Sequence, residues 1–186
     1  MLGTPVTIET IADVLQQRQF GHVVLDPVLI CKGQEPGAAL DTDQALRAQV
    51  LPLATFVTPN HFEALTLSAM ERIESVEYLT EAARRIHETS GAAVLAKGGV
   101  RLAGPDAVDV FYDGTTTAVL SAPKVGEVAV AGAGCTLAAA LAARLALGAD
   151  PLDAAGAAKA FVTAGIHHRP VSSAPFDAVR QSPLPR

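Results

Sequence analysis

Gly132-Ala133-Gly134-Cys135-Thr136-Leu137 leads straight into the alanine-rich stretch Ala138 to Leu147, so a helix opens on a pair of glycines. Glycines at a helix start let backbone N–H groups turn toward an anion, and the helix dipole adds partial positive charge there. Cys135 lies at the same point, and the segment offers both an oxyanion cradle and a base. Read alone, it is equally a glycine turn ahead of a buried helix, with a small apolar cysteine.

Working outward, upstream segments alternate between helical and strand patterns. Thr7 to Gln19 carries Ile8, Ile11, Ala12 and Leu15 at helical spacing, with Thr4-Pro5 as its start, and precedes the apolar run Val23-Val24-Leu25. That run reads as a buried strand ending at Asp26-Pro27, followed by a loop with Gly33, Pro36 and Gly37. A helix from Thr42 to Leu51, a strand over Ala54 to Val57 and a helix from Asn60 come next. Ser75 to Thr89 makes another helix, capped by Ser75, and Ala92 to Ala96 a strand running into Lys97-Gly98-Gly99. Ala107 to Tyr112 and Thr116 to Ser121 flank Asp113-Gly114, which predicts a two-residue hairpin turn. Ala133 to Leu147 and Pro151 to His167 are helical, and Pro170 to Arg186 reads as an irregular tail. The division expected is one domain over residues 1–169 and a tail over 170–186.

This alternation, with one hairpin, predicts a mainly parallel sheet covered by helices on both faces, an α/β/α sandwich. Ligands bind such sheets at the carboxyl ends of the strands, which aligns Asp26, Asn60 to Glu63, Lys97 to Gly99 and Gly132 to Cys135 along one rim.

Composition narrows the function classes. The chain has 186 residues, 49% of them hydrophobic, enough for one sizeable core. A net charge of −5 argues against nucleic acid or an anionic membrane surface as partner. Two cysteines, Cys31 and Cys135, form neither a disulfide scaffold nor a metal cluster, which points to a reducing cytoplasm. Met1 to Gln19 lacks the pattern of a secretory signal, and the uncharged run Val128 to Ala143 stops at Arg144, short of a membrane span.

Each rim residue has a functional and a plainer reading. Asp26 projects from a strand end into a cleft, or bonds nearby loop amides. Asn60 and Glu63 share a face on a first helical turn, where they orient water or Mg²⁺ near phosphates, or form a capping box. Lys97 reaches a nucleotide phosphate beside Gly98 and Gly99, or is an exposed lysine in a turn; Lys32 is weaker still. Together they supply anion cradle, base, metal-organising carboxylates and a phosphate-facing cation, the parts of a kinase without a Walker sequence.

Five motifs in order carry a resemblance: Leu25-Asp26-Pro27-Val28 with Lys32-Gly33; Leu51-Pro52-Leu53-Ala54 with Thr58-Pro59-Asn60 and Glu63; Val94-Leu95-Ala96-Lys97-Gly98-Gly99; Gly132 to Leu137; and Ala158-Lys159-Ala160-Phe161-Val162. In these the chain, from Met1 to Ile166, resembles the hydroxymethylpyrimidine and phosphomethylpyrimidine kinases of thiamine biosynthesis, in the ribokinase-like superfamily. The resemblance implies ATP- and Mg²⁺-dependent phosphorylation of a pyrimidine alcohol and then of its monophosphate, by a homodimer. It casts Cys135 as the base, with Gly132, Ala133 and Gly134 holding the transferring phosphoryl group. It also casts Asn60 and Glu63 as organisers of Mg²⁺, Asp26 beside the metal, Lys97, Gly98, Gly99 and Lys159 on the ATP side, and Met1 and Val28 at the pyrimidine.

The resemblance further implies strands ahead of Met1, so a ribokinase-like domain truncated at its N-terminus is expected. Where the family reads Thr-His-Gly-Thr-Gly-Cys after an Asn, this chain has Val130-Ala131-Gly132-Ala133-Gly134-Cys135 after Ala129, and Val100 replaces a His. Each lost neutral hydrogen bond weakens phosphate binding by about 1 kcal/mol. Pyridoxal kinases, which also carry a cysteine in the anion hole, are the enzymatic alternative. A non-catalytic module binding nucleotide or pyrimidine is the alternative of another class.

Overall fold

The computed structural model describes residues 2, 4–29, 40–170, 173 and 177–181. The expectations for Met1, Cys31, Lys32 and the Gly33-to-Gly37 loop lie outside those residues.

Helix α1 (Pro5–Gln17) starts on the Thr4 cap, whose hydroxyl accepts from the Thr7 amide at 3.2 Å, with Pro5 pre-set in the first turn. Strand β1 (Val24–Leu25) follows. Helix α2 (Leu40–Ala45) begins two residues earlier than its pattern suggests and does not remain α-helical to Leu51. It widens into a π turn over Leu46–Val50 and tightens into a 3₁₀ turn over Leu51–Leu53. Pro52 is the reason: it lacks an amide hydrogen and its ring clashes with the preceding turn, so the α ladder cannot run through it.

β2 (Phe56–Val57), α3 (His61–Leu67) and α4 (Val76–Ser90) come next. Ser75 caps α4, and Gly91 ends it at φ 72°, a left-handed conformation that favours glycine. β3 (Ala93–Gly99), β4 (Asp106–Tyr112) and β5 (Thr117–Pro123) complete the sheet, and α5 (Ala133–Ala146) and α6 (Pro151–His167) close the described helices.

The strands lie in the order β1-β2-β3-β4-β5. β1, β2 and β3 pair in parallel, while β4 is antiparallel to both β3 and β5. Four of the five strands therefore run one way, and β4 alone is reversed. Period-two alternation divides the core. Val57, Val94, Ala96 and Val110 face the layer of α1 to α4, and Phe56, Leu95 and Phe111 face α5 and α6. The result is the expected three-layer α/β/α sandwich.

The hairpin differs from the two-residue turn expected. Tyr112 pairs with Thr117, leaving Asp113 to Thr116 as a four-residue connection. The Asp113 carboxylate accepts from the amides of Thr115 at 2.9 Å and Thr116 at 2.7 Å, adding to the backbone bond from the Asp113 amide to the Thr116 carbonyl at 3.3 Å, so side chain and backbone close the turn together.

A register shift between Lys97 and Gly99 marks a bulge at the end of β3. A Cβ on Gly98 would lie 2.5 Å from the Val108 carbonyl oxygen and 2.6 Å from Leu102 Cδ1, so only glycine fits the close approach. Such a bulge locally kinks the strand, here at the residue next to Lys97.

Candidate active site

The carboxyl ends of β1, β2 and β3 sit side by side because their strands are parallel neighbours. Asp26 follows β1, Thr58 to Asn60 follow β2, and Lys97 lies near the end of β3, its amide donating to the Pro59 carbonyl at 2.8 Å. Lys97 Nζ donates to Asp26 Oδ1 at 3.0 Å, and the Thr58 hydroxyl donates to the same oxygen at 3.1 Å. Both partners of this ion pair are mostly buried.

Helix α5 brings the glycine segment onto this rim from a distant part of the chain. Gly132 occupies the cap position at φ 77° with no side-chain cap, a backbone turn that favours glycine. Among the described residues the Gly134 and Cys135 amides have no acceptor, whereas Thr136 N–H already bonds the Gly132 carbonyl. A Cβ built on Gly134 would stand 3.3 Å from Lys97 Nζ and 3.8 Å from Asp26 Oδ2. The open amides, the ammonium and the carboxylate thus meet at one point, with the exposed thiol of Cys135 beside them.

Asn60 and Glu63 realise the capping box in full. The Asn60 side chain accepts from Phe62 and Glu63 amides at 2.9 and 3.0 Å, and Glu63 Oε2 accepts from the Asn60 amide at 2.7 Å. This does not exclude a role at the site, because both residues also line the cavity. Burial pushes the Glu63 carboxyl up to about 7; the Asn60 amide, the Lys97 charge and the Leu29 amide oppose that rise, and the Asp26 charge adds to it.

This shift has a consequence for folding. Below its ordinary value of 4.5 Glu63 is protonated in folded and unfolded chains alike, and its contribution is fully present. As pH rises through about 7, the folded protein must ionise a buried acid, and stability on the order of 3 kcal/mol is lost. Glu63→Gln, which stays neutral and keeps an acceptor for the Asn60 amide, should match the parent at pH 4.5 and exceed it in denaturant unfolding at pH 8. Parallel stability profiles for the two proteins across that window would remove the protonated Glu63.

Asp26, Asn60, Glu63, Lys97, Gly132, Gly134 and Cys135 line one cavity of about 350 Å³, together with Val28, Gly98, Gly99 and Ala133. Several wall residues carry no sequence signal of their own: His61, Arg101, Val125, Thr163 and Ile166. Thr58, which orients Asp26, was legible only as the neighbour of Pro59. Lys159 is placed apart from the others. Its ammonium donates to Asp109 Oδ2 at 2.7 Å and to the Ala107 carbonyl at 2.9 Å, so it is not turned toward the glycine segment. It lines an adjoining cavity of about 830 Å³ that shares Pro123, Val125 and Thr163 with the first.

Acidic, cationic and open-amide groups thus gather at the carboxyl end of a mainly parallel sheet, in an α/β fold of the ribokinase-like kind. The chain belongs to the phosphomethylpyrimidine kinase family, whose model matches residues 1–175. It is 44% identical over 166 residues to the pyridoxine kinase of Bacillus subtilis (strain 168), covering 89% of this chain and 61% of that one. The structure of Staphylococcus aureus pyridoxal kinase in complex with AMP-PCP and pyridoxal superposes with a TM-score of 0.85 at 36% identity, covering 96% and 64% of the two chains. Phosphomethylpyrimidine kinase from Clostridium difficile 630 superposes at 0.72 with 29% identity, over 89% and 66%. The chain therefore spans under two thirds of these relatives' lengths.

Among the described residues no helix is long and apolar enough to cross a membrane. Nor do they contain a cluster of three or more His, Cys, Asp or Glu side chains able to hold a metal ion.

Proposed function

We propose that this chain carries the phosphoryl-transfer site of an ATP-dependent kinase acting on a hydroxymethyl group attached to a nitrogen heteroaromatic ring. The observation that carries this reading is the meeting of Gly134, Lys97 Nζ and Asp26 beside Cys135. The open amides of Gly134 and Cys135 receive the transferring phosphoryl oxygens, and Lys97 balances their charge. Cys135 takes the proton from the substrate hydroxyl as that oxygen attacks the γ-phosphorus of ATP, whose bond to the bridging oxygen breaks so that ADP leaves. Asp26 keeps Lys97 in place and leaves Oδ2 on the cavity side.

The donor set fits a Mg²⁺ that arrives with nucleotide phosphates, because that ion is held by one or two carboxylates plus phosphates and water rather than by an all-protein cage. Asp26 and Glu63 are the carboxylates that would hold it, and the ion would neutralise charge on the transferring group. Ionisation of Glu63 would accompany that binding.

Two alcohols compete as substrate. The sequence motifs favour hydroxymethylpyrimidine and its monophosphate. Pyridoxine and pyridoxal are supported as strongly, by the 44% identity to a pyridoxine kinase and by the Staphylococcus aureus neighbour that holds pyridoxal. Val28, on the cavity wall, is the candidate contact for either ring; a homodimer remains part of the proposal. The test is phosphorylated product from ATP and Mg²⁺ with each alcohol, compared by kcat/KM. We expect product from at least one ring. Calorimetric binding of ATP with no product from any of these alcohols would replace the kinase with a binding module.

A further inference from the structure

The glycine segment is held from outside by a piece of chain that the chemistry above does not use. Residues Asp177 to Arg180 run beside the segment's entry: the Ala131 amide donates to the Asp177 carbonyl at 2.8 Å, and the Val179 amide donates back to the Ala131 carbonyl at 3.0 Å. Val179 is buried, and its Cγ1 stands 3.4 Å from where a Cβ on Gly132 would be. Two residues on, Gln181 Nε2 donates to the hydroxyl of buried Thr136, in the first turn of α5, at 2.8 Å.

The same piece is anchored at its other side to α6. Arg180 N–H donates to the Gly165 carbonyl at 3.1 Å, and Arg169 Nε donates to Asp177 Oδ2 at 2.6 Å. A Cβ on Gly165 would fall 2.5 Å from the Arg180 carbonyl oxygen and 2.9 Å from Val179 Cγ2, so the contact leaves no space for a side chain. These bonds grip the segment on both sides of Gly132 and leave the Gly134 and Cys135 amides untouched. Val130-Ala131-Gly132-Ala133 offers no side-chain hydroxyl, imidazole or amide with which to hold itself.

We infer that Asp177 to Gln181 is a positioning strap for the anion cradle: Val179, Gln181 and the Asp177 carbonyl set the backbone turn that aims the Gly134 and Cys135 amides. The strap acts through the cradle and touches no reacting atom. Its effect on turnover rests on the phosphoryl-transfer reading, but its effect on the cradle does not. A misplacement of about 1 Å in such a group costs on the order of a hundredfold in rate.

The test uses the full chain in a Cys31→Ser background, so that Cys135 is its only thiol. Alkylation rates with iodoacetate and iodoacetamide are compared at one pH. Their ratio reads the cradle's attraction for an anion and cancels thiol exposure and reactivity. Gly165→Ala pushes the strap away, and Gln181→Ala removes its bond to Thr136; neither residue belongs to the catalytic set. Cooperative melting identifies the folded variants, and Gln181→Ala alone decides the matter if Gly165→Ala does not fold.

We expect the iodoacetate preference to fall about threefold, the scale of a helix-terminus charge interaction. With an active parent, kcat should fall on the order of tenfold or more while KM for ATP stays within about twofold. An unchanged ratio in folded variants overturns the strap, whatever happens to turnover. A reduced ratio in a chain that phosphorylates nothing upholds the strap and overturns the kinase reading instead.

Discussion

Cys135→Ala is expected to lower kcat by about two to four orders of magnitude, the usual worth of a positioned general base, while KM for ATP stays within about threefold. Two observations separate those effects. Cys135 is exposed at the first turn of α5 on the wall of the cavity, where a substrate hydroxyl can approach its sulfur. The groups assigned to phosphate are different atoms: backbone amides, which alanine retains, and Lys97 Nζ, which pairs with Asp26 rather than with the thiol. Alanine also suits the first turn of a helix, so fold and cradle persist. Steady-state kinetics and ATP calorimetry on the folded variant check this. Parental turnover would remove Cys135 as the base, and loss of ATP binding would show that the sulfur serves the nucleotide instead.

Lys159→Met is expected to destabilise the protein by about 3–5 kcal/mol, the cost of leaving a buried charge without its partner. Asp109 is 5% exposed on β4, and Lys159, 8% exposed, reaches it from α6 at 2.7 Å. Nothing else among the described residues offers Asp109 a cation at that distance. Pairing Lys159→Met with Asp109→Leu removes both charges, and the double variant should recover most of the loss, because well-packed apolar residues replace buried ion pairs at little cost. Urea unfolding of the parent, both single variants and the double variant measures this directly. The prediction also decides between the two readings of Lys159. A nucleotide-binding lysine with no structural duty would leave stability unchanged and raise KM for ATP.

Legibility in the sequence followed how local the determining interactions are. Caps at Thr4, Asn60 and Ser75, the apolar runs of β1 to β3 and the long helices α5 and α6 depend on neighbours a few residues away, and they were readable. Pro52 was visible as a helix breaker, but a single proline does not say how the chain relieves its clash, here through a π turn and then a 3₁₀ turn. The Asp113-Gly114 dipeptide announced a hairpin, yet its length was set by which amides the Asp113 carboxylate could reach. The stretch after Pro170 read as a tail because prolines and polar residues show no periodicity. Its bonds to Ala131, Thr136 and Gly165 join positions far apart in the chain.

By itself the sequence determined the α/β alternation, the glycine-led start of α5 and the identity of the polar groups proposed for the site: Asp26, Glu63, Lys97 and Cys135. Those follow from periodicity, backbone freedom and side-chain chemistry, which are properties of short segments. Only the tertiary structure decided how these groups are arranged. Parallel pairing of β1, β2 and β3 put Asp26 within 3.0 Å of Lys97 across seventy-one residues of chain, and burial raised the Glu63 carboxyl to about 7. Packing of α6 on β4 committed Lys159 to Asp109 rather than to the glycine segment. Charge pairing and desolvation depend on distance in space and on exclusion of water, and a linear chain specifies neither until its strands and helices have packed.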